Sequence, residues 1–346
     1  MNVTLPGTDV ELGLTSVVLL GIVALIGVGV LTGAMSFSYA LYLLALAGMY
    51  VLLALGLNVQ WGYGGIINFA VVAFWGIGLY VAALGTARTS PLGLDWHPLV
   101  ALAVAIVVSV VIAILVGLPA IRLRADYLAI ATLGFSEIFR LIMANEREFT
   151  AGMAGIAGVP ELFGDLPLTS TATNLSVVFV LGVLTYLVLR RIHRSPWGRV
   201  MRTIKSDEDL AESLGKNTFY FKMQAFVIGC VIMTIAGVYY AHFINYVDPT
   251  DLEPLQTFFV WVAVILGGSG SNRGAVVGGI VLVAVLEGTR FVTSVGALDA
   301  ISTGPVRLLA IGILIILIMR FKPEGLYPPR DELIWPKSMD DTEGSR

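Results

Sequence analysis

Long stretches of this chain contain no Asp, Glu, Lys or Arg, and they constrain its fold more than any other feature. They are Leu12–Ala87, His97–Ile121, Leu166–Leu189, Met223–Val247, Pro254–Asn272 and Gly274–Leu286. A helix needs about 20 predominantly apolar residues to cross a bilayer core. Each long stretch therefore predicts membrane-spanning helices, and the first stretch is long enough for three.

The composition agrees with a membrane protein and disfavours two classes of soluble protein. Only 13% of the residues are charged and the mean hydropathy is +0.87, whereas soluble domains are about 25% charged. The formal net charge of -3 argues against nucleic-acid binding, which usually requires a basic patch. We therefore expect a single bundle in the lipid bilayer.

The apolar pattern predicts an all-α polytopic membrane protein with about ten transmembrane helices. We expect a short cytoplasmic segment (1–14), one transmembrane domain (15–320) and a cytoplasmic tail (321–346). Residues 1–14 lack Lys and Arg, so the first apolar run is interpreted as a span and not as a signal peptide. The predicted spans are 15–35, 38–59, 64–85, 98–119, 126–145, 174–192, 223–245, 256–270, 275–295 and 304–320.

The charges between these spans predict the orientation. With the N-terminus inside, sixteen of the 21 basic residues fall on the cytoplasmic side. The external connections then carry the acids Glu146, Glu148, Glu161, Asp165, Asp248, Asp251 and Glu253. The positive-inside rule favours this arrangement, which places both termini in the cytoplasm. Spans eight and nine are short and joined by the glycine-rich run 267–274, so a re-entrant hairpin of two half-helices is an alternative to two full crossings.

The loop at 193–222 is the most informative polar segment. Pro196 and Gly198 end the sixth span, and Asp207–Leu214 predicts a short helix with Ser206 as its N-cap. Gly215 is suited to the C′ position that ends such a helix. From the residues alone, the loop is either an ordinary solvated positive-inside connection or a helix that docks into a groove of another protein.

One acidic and one basic residue stand out inside an apolar span. Glu137 and Arg140 are one helical turn apart, and an ionisable pair at membrane depth is costly unless it is paired or faces a cavity. They either neutralise each other structurally or serve the substrate pathway. The three histidines are far apart and show no metal-ligand spacing, and no catalytic triad or cofactor motif is evident, so we expect neither an enzyme nor a cofactor or metal.

Six stretches of the chain carry a recognisable pattern. In chain order they are LGLNVQWGYGGIINFAVVAFWGIGLYVAAL, DYLAIATLGFSEIFRLI, FTAGMAGIAGVP, SPWGRVMRTIKSDEDLAESLGKN, VILGGSGSNRGAVVGG and RFKPEGLYP. Together they resemble one family of membrane proteins, the LivM-like permease subunits of branched-chain amino acid ABC importers. The resemblance covers about residues 40–328. It implies the type II ABC importer permease fold in a prokaryotic plasma or inner membrane.

The resemblance also implies partners and a coupling site. The partners are a second, LivH-like permease, two cytoplasmic ABC ATPase subunits and an external solute-binding protein. The loop helix becomes a coupling helix that contacts an ATPase through Asp207, Glu208, Ala211, Glu212 and Gly215. The chain itself lacks a phosphate-binding loop, because Leu210 and Asn217 occupy positions where that motif requires Gly and Ser or Thr.

The implied function is passage of branched-chain or other hydrophobic amino acids. Candidate pathway residues lie in the matching stretches, and they are Asn68, Phe74, Gly76, Gly78, Thr132, Glu137, Thr150, Gly152 and Gly155. Family members often carry Gly-His at Ala70-Val71 and a polar residue at Ala154, so urea or a short amide is an alternative substrate. A second alternative is an ion-coupled secondary transporter with Glu137 as its coupling acid, and a third is a membrane-bound scaffold or enzyme.

Overall fold

Twelve helices in the described part of the chain account for nearly all of its regular structure. The computed structural model describes residues 2–4, 11–33, 35–162, 170–293, 308–309, 311–313, 316–317 and 320–328. The helices are α1 (Leu14–Leu31), α2 (Phe37–Leu57), α3 (Val71–Thr86), α4 (Pro98–Ala120), α5 (Ala125–Asn145), α6 (Arg147–Thr150), α7 (Ser170–His193), α8 (Pro196–Ser206), α9 (Glu208–Ser213), α10 (Thr218–Ile244), α11 (Pro254–Gly267) and α12 (Asn272–Thr293). A π-helical turn, Asn58–Tyr63, follows α2 directly.

Four strands of two or three residues form two small antiparallel pairs. The strands β1 (Asn2–Thr4) and β2 (Glu11–Gly13) pair next to α1. The strands β3 (Ile156–Ala157) and β4 (Tyr246–Val247) join the connection after α6 to the end of α10. The predicted all-α fold is therefore confirmed, and the strands serve as local ties between loops.

The described helices meet the requirements of a multi-pass membrane protein. Five segments are long and apolar enough to cross a bilayer, namely Phe37–Tyr63, Pro98–Ala120, Ala125–Asn145, Thr171–His193 and Thr218–Ile244. Two shorter apolar helices, α3 and α11, lie among them. In hydrocarbon a helix satisfies its own backbone hydrogen bonds, which explains why apolar sequence of this length adopts this structure.

Most predicted spans agree with helices to within a few residues, but the third span differs. It was expected at 64–85, whereas α3 begins only at Val71 and residues 65–70 are not helical. The expected tenth span, 304–320, lies largely outside the described residues, as does most of the tail. Residues 65–70 instead form hydrogen bonds with side chains from other parts of the chain.

The eighth and ninth spans are unequal in length. The helix α11 has 14 residues and α12 has 22, which correspond to about 21 and 33 Å of helix. Since a hydrocarbon core is about 30 Å thick, α12 is long enough to cross by itself. The two helices are therefore not a matched pair of half-helices, and this fits the predicted full crossing better than the re-entrant alternative.

The core is built around α2, α3 and α10, which are largely buried. Glycines permit unusually close contact between α3 and α10. A Cβ added at Gly78 would overlap the carbonyl oxygen of Thr234, and one added at Gly237 would overlap that of Trp75. Small residues at helix crossings allow such backbone approach in membranes, so α3 and α10 form one tightly joined unit.

In contrast, α4, α5 and α7 carry large apolar side chains that remain exposed. Leu115, Ile130 and Phe179 are 64–68% exposed. Such extensive apolar surface is rare on a soluble monomer, but it suits contact with lipid or with another membrane subunit. The helices run alternately between two ends of the bundle, which we call the α8 end, where α8 and α9 lie, and the ladder end, where β3 pairs with β4.

Candidate functional site

The short helix α9 is held by a well-defined cap at each terminus. Asp207 is the N-cap, and its Oδ1 accepts a hydrogen bond from the Leu210 amide at 2.9 Å. The prediction of Ser206 as the N-cap is wrong, because Ser206 is the last residue of α8 and its hydroxyl donates to the Arg202 carbonyl. Buried Met201 and Ile204 keep α8 helical up to that point.

The predicted stop at Gly215 is confirmed. Gly215 has a φ of 73°, in the left-handed region where glycine is favoured. Its amide donates to the Glu212 carbonyl at 2.8 Å, and the Lys216 amide donates to the Ala211 carbonyl at 3.1 Å. These two bonds satisfy carbonyls at the end of the helix, so α9 is a separate, rigidly closed unit.

The predicted coupling residues divide into those that fix α9 and those that face outward. Glu208 forms an ion pair with Lys222 at 2.5 Å, and Glu212 accepts a hydrogen bond from Thr218 at 2.7 Å. Ala211 is completely buried, so it supports the helix from inside and presents no surface to a partner. The loop is thereby attached to the first turns of α10.

Two leucines that the sequence analysis missed dominate the outer surface of α9. Leu210 is 49% exposed and Leu214 is 65% exposed, with the exposed Asp209 beside them. Exposed apolar side chains surrounded by polar residues are typical of protein–protein contacts. The signal was present in the sequence as two leucines four residues apart, a spacing that also occurs on buried helix faces.

The helix α8 connects this loop to the interior of the bundle. The Lys205 ammonium donates to the Gly62 carbonyl in the π-helical turn at 2.8 Å, and buried Met201 packs against Gly64. Although the Lys205 side chain as a whole is exposed, its amine end is desolvated, and this lowers its pKa. The helix α8 is therefore in direct contact with the residues between α2 and α3.

Residues 65–70, the last part of the connection between α2 and α3, are not helical, and we call them the unwound segment. This segment replaces the expected first turns of α3. Gly65 begins it with a φ of 66°, a conformation that glycine adopts without strain. Because the segment lies inside the bundle, its backbone groups require partners from elsewhere in the chain.

Asn68 is the centre of the unwound segment and is fully buried. Its side-chain amide donates to Gln60 Oε1 at 2.9 Å, and its Oδ1 accepts from the Ala70 amide at 2.8 Å. The indole of Trp261 donates to the Asn68 carbonyl at 3.2 Å. Gln60 in turn donates to the Phe226 carbonyl on α10 at 2.8 Å. In this conformation Asn68 joins four parts of the chain and does not line an open path.

Thr132 on α5 belongs to the same network. Its hydroxyl accepts a hydrogen bond from the Phe69 amide at 2.9 Å and donates to the Leu128 carbonyl at 2.8 Å. Phe69 stacks on Trp261 with ring centroids 4.9 Å apart. Asn68 and Thr132, predicted independently from different stretches, are therefore brought together at the unwound segment.

The remaining candidates on α3 are packing residues in this conformation. Phe74 is fully buried against Phe226, with ring centroids 6.0 Å apart. A Cβ at Gly76 would collide with Leu252 and Phe139, and Gly78 contacts α10 as described above.

Comparison with known proteins assigns these features to a family. Residues 39–319 match the model of the branched-chain amino acid transport system / permease component family. The chain belongs to this family. The high-affinity branched-chain amino acid transport system permease protein LivM of Escherichia coli strain K12 is 32% identical over 81% of this chain and 68% of its own length.

Relatives of two kinds of permease match this family member. The probable LivM permease of Methanocaldococcus jannaschii is 28% identical over 82% of this chain and 91% of its own length. The LivH permease of Salmonella typhimurium is 28% identical over 68% of this chain and 80% of its own length. No solved structure matches the chain.

Three further candidate residues of this permease lie at its ladder end. The Thr150 hydroxyl donates to the Met143 carbonyl at 2.8 Å, and Gly152 and Gly155 have left-handed φ values of 56° and 70°. The segment reaches the last turn of α3 through a hydrogen bond from the Arg88 amide to the Gly158 carbonyl. The 16 residues of α3, about 24 Å of helix, therefore separate this group from Asn68 and Thr132, so the candidates form two clusters.

Glu137 and Arg140 of the permease bind each other. Arg140 Nε donates to Glu137 Oε2 at 2.9 Å, and Nη2 lies 2.5 Å from Oε1. Bidentate arginine–carboxylate contacts are the strongest side-chain pairs. The pairing that the sequence analysis gave as one of two alternatives is present, and it leaves the Glu137 carboxylate engaged.

Proposed function

We propose that this chain is the membrane permease subunit of an ATP-driven importer for branched-chain or other hydrophobic amino acids. Membership of the permease family supports this assignment, and several relatives carry names of high-affinity branched-chain amino acid transport permeases. The structural observation that carries the mechanism is the Lys205–Gly62 hydrogen bond, since it connects the loop helix to the unwound segment inside the bundle.

In this proposal the α8 end faces the cytoplasm. The cationic side chains of α7, α8 and the following loop lie there, whereas Glu146, Glu148, Asp248 and Glu253 lie at the ladder end. This distribution satisfies the positive-inside rule. The ladder end then faces outward, where a solute-binding protein would deliver substrate.

The proposed partners follow from this orientation. A separate ATPase subunit contacts the exposed Leu210 and Leu214 of α9, while Asp207, Glu208, Glu212 and Gly215 hold that helix in shape. A LivH-like permease forms the second half of the membrane unit, because permeases named LivM and LivH both match this chain. ATP hydrolysis takes place in the ATPase pair.

The proposed transport cycle uses the unwound segment as the moving part. ATP-driven closure of the ATPases displaces α9, and α8 transmits this motion through Lys205 to Gly62. The unwound segment, with Asn68 and Thr132, then changes its hydrogen bonds, and the pathway opens towards one side. Breaks in membrane helices occur where protein or a water-filled cavity surrounds the backbone, and transporters place substrate sites beside them.

Reconstitution tests the proposal. The chain is placed in proteoliposomes with a LivH-like permease, two ATPases and a binding protein encoded beside it, and uptake of labelled leucine is measured with ATP and with a non-hydrolysable analogue. We expect uptake only with the complete set and ATP. Uptake by this chain alone under a proton or sodium gradient would instead support a secondary transporter. Competition by unlabelled leucine, urea and acetamide identifies the substrate class.

The ATPase contact is tested by a paired substitution. Leu210→Ser with Leu214→Ser should abolish co-purification of the ATPase and ATP-driven uptake, because it removes the apolar contact and leaves the caps of α9 intact. Leu92→Ser with Leu94→Ser is the control, since these two leucines are also exposed, at 42% and 40%, in the connection at the ladder end. Unchanged ATPase binding in the α9 variant contradicts the proposed contact.

A further inference from the structure

A wide cavity of about 850 Å³ opens at the α8 end, between the last turns of α7, the side of α8 and the connection between α11 and α12. It reaches the π-helical turn at Gly62 and Tyr63. Its cationic lining residues are Arg190, Arg194, Arg199, Arg202, Lys205 and Arg273. Neutral polar residues complete the wall, among them Thr203, Ser206 and Ser269.

The charge in this cavity is one-sided. Six of its described lining residues are permanently or normally cationic, and no described lining residue is Asp or Glu. The side chains of Arg190, Arg194 and Arg199 are exposed. Like charges that surround one space raise its positive potential and concentrate anions there. Guanidinium groups in such numbers match the geometry of phosphate oxygens, to which they bind in a bidentate manner.

The cavity also borders an apolar surface that suits acyl chains. Arg190 is on the last turns of α7, and Leu184, Leu187 and Val188 on the same helix are each more than half exposed. A phospholipid beside α7 would therefore find arginines at the end of the helix and exposed apolar side chains one to two turns before them. Basic pockets between membrane helices on the cytoplasmic side are suited to phospholipid head groups.

We propose that this cavity is a binding site for a phosphate group, carried either by an anionic membrane phospholipid or by a soluble phosphate compound. The phosphate binds between Arg190 of α7, Arg194 in the connection that follows α7, and Arg199 of α8. It neutralises their repulsion and joins α7 to α8. Because α8 also contacts Gly62 through Lys205, an occupied cavity restrains the same helix that transmits motion from α9, and occupancy therefore regulates transport.

Binding is measured on the purified full-length chain in an uncharged detergent. Phosphatidylglycerol, phosphatidylcholine and inorganic phosphate are titrated separately, with retention in native mass spectrometry and the shift in thermal unfolding temperature as readouts. The cavity variant is Arg194→Gln with Arg199→Gln. The matched control is Arg88→Gln with Arg124→Gln, which removes the same charge from exposed arginines outside the cavity.

We expect a phosphate-bearing ligand to bind the cavity variant at least tenfold more weakly, with unchanged binding by the control. Selective binding of phosphatidylglycerol identifies a lipid site, whereas equal competition by inorganic phosphate identifies a soluble ligand. If the cavity variant is unfolded, Arg194→Lys with Arg199→Lys keeps the charges and should retain part of the affinity. Equal affinity in the wild type and the cavity variant, or an equal loss in the control, overturns the proposal.

Discussion

The two ends of α3 are both irregular, yet they are stabilised differently. At its start, the buried unwound segment depends on side chains from distant helices, including Thr132 and Trp261. At its end, the ladder end is held by local left-handed turns and the short β3–β4 pair, with Asn245 bonded to the Val159 carbonyl. The start therefore depends on side-chain hydrogen bonds from α5 and α11, whereas the ladder end is held by backbone turns, strand pairing and a contact with the end of α10.

This difference assigns separate tasks to the two ends. The connection before α3 contacts α8 through Gly62 and Gly64, so in the proposed cycle a signal from α9 reaches this end of α3 first. The ladder end lies about 24 Å away along 16 residues of helix. A change at one end reaches the other only if α3 moves as a rigid body with α10.

The rigidity of α3 is tested by Gly78→Val. The added side chain overlaps the Thr234 carbonyl, and separation of α3 from α10 should cost about 3 kcal/mol or more. Thermal unfolding in detergent and ATP-driven uptake should both be severely reduced. Gly134→Val is the control, because no atom lies within 4 Å of a Cβ at Gly134. Similar behaviour of the two variants contradicts the close contact.

The dependence of the unwound segment on buried hydrogen bonds is tested by Asn68→Ala. The change leaves Gln60 Oε1 and the Ala70 amide without their partners, and each buried unsatisfied group costs about 1–3 kcal/mol. We expect a clear loss of thermal stability. Thr89→Ala at the ladder end removes an exposed bond to the Ala157 carbonyl and should change stability by less than about 0.5 kcal/mol.

The contact between α8 and the start of α3 is tested by Lys205→Met, which keeps the length of the side chain and removes the donor to Gly62. Loss of one hydrogen bond should lower stability by only about 1 kcal/mol. In the proteoliposomes, however, ATP hydrolysis should continue while uptake falls several-fold. Lys216→Met removes an exposed lysine from the same loop and should preserve the ratio of uptake to hydrolysis. An unchanged ratio in both variants would rule out Lys205 as the connection.

The ladder end should show a small pH effect from Asp251. Burial, together with the nearby Asp248 carboxylate, raises the pKa of Asp251 to about 6. Ionisation of Asp251 therefore opposes folding. The stability that its protonated form contributes is fully present below the ordinary pKa of aspartate and is lost as pH rises through about 6. After solvent screening the effect is about 1 kcal/mol.

Asp251→Asn isolates that contribution. The variant should be more stable than the wild type at pH 7 and equal to it at pH 4, as followed by thermal unfolding at both values. Glu253→Gln removes an exposed acid two residues away and should leave the pH profile unchanged. If thermal unfolding of Asp251→Asn depends on pH in the same way as that of the wild type, the pH dependence comes from other groups.

The helices could be predicted because the information for them is local. Length, apolar composition and caps determine α4 and α10, and Gly215 marks the end of α9 by its own conformational preference. The N-cap could not be decided in this way. Ser206 and Asp207 are adjacent, and serine and aspartate are both residue types that can accept the amide hydrogen bond of an N-cap. The burial of Met201 and Ile204 favours continuation of α8 through Ser206.

The unwound segment could not be predicted because its stabilising partners are distant in sequence. Thr132 is 63 residues from Phe69, and Trp261 is 193 residues from Asn68. Locally the segment resembles the apolar start of a helix. The candidate residues Asn68 and Thr132 were identified by resemblance to a family, and only the fold shows that they meet and that Thr150, Gly152 and Gly155 lie elsewhere.

The position of Asp207 has a mechanical consequence. One extended residue, with φ and ψ of −157° and 107°, separates α8 from α9. Asp207 is therefore the one residue between the two helices, while the Glu208–Lys222 ion pair and the Glu212–Thr218 hydrogen bond also tie α9 to α10. In the proposed cycle, a force on α9 therefore acts on α8 through this one junction and on α10 through those two contacts. A residue inserted beside Asp207 would lengthen this junction and should weaken the coupling of α9 to α8.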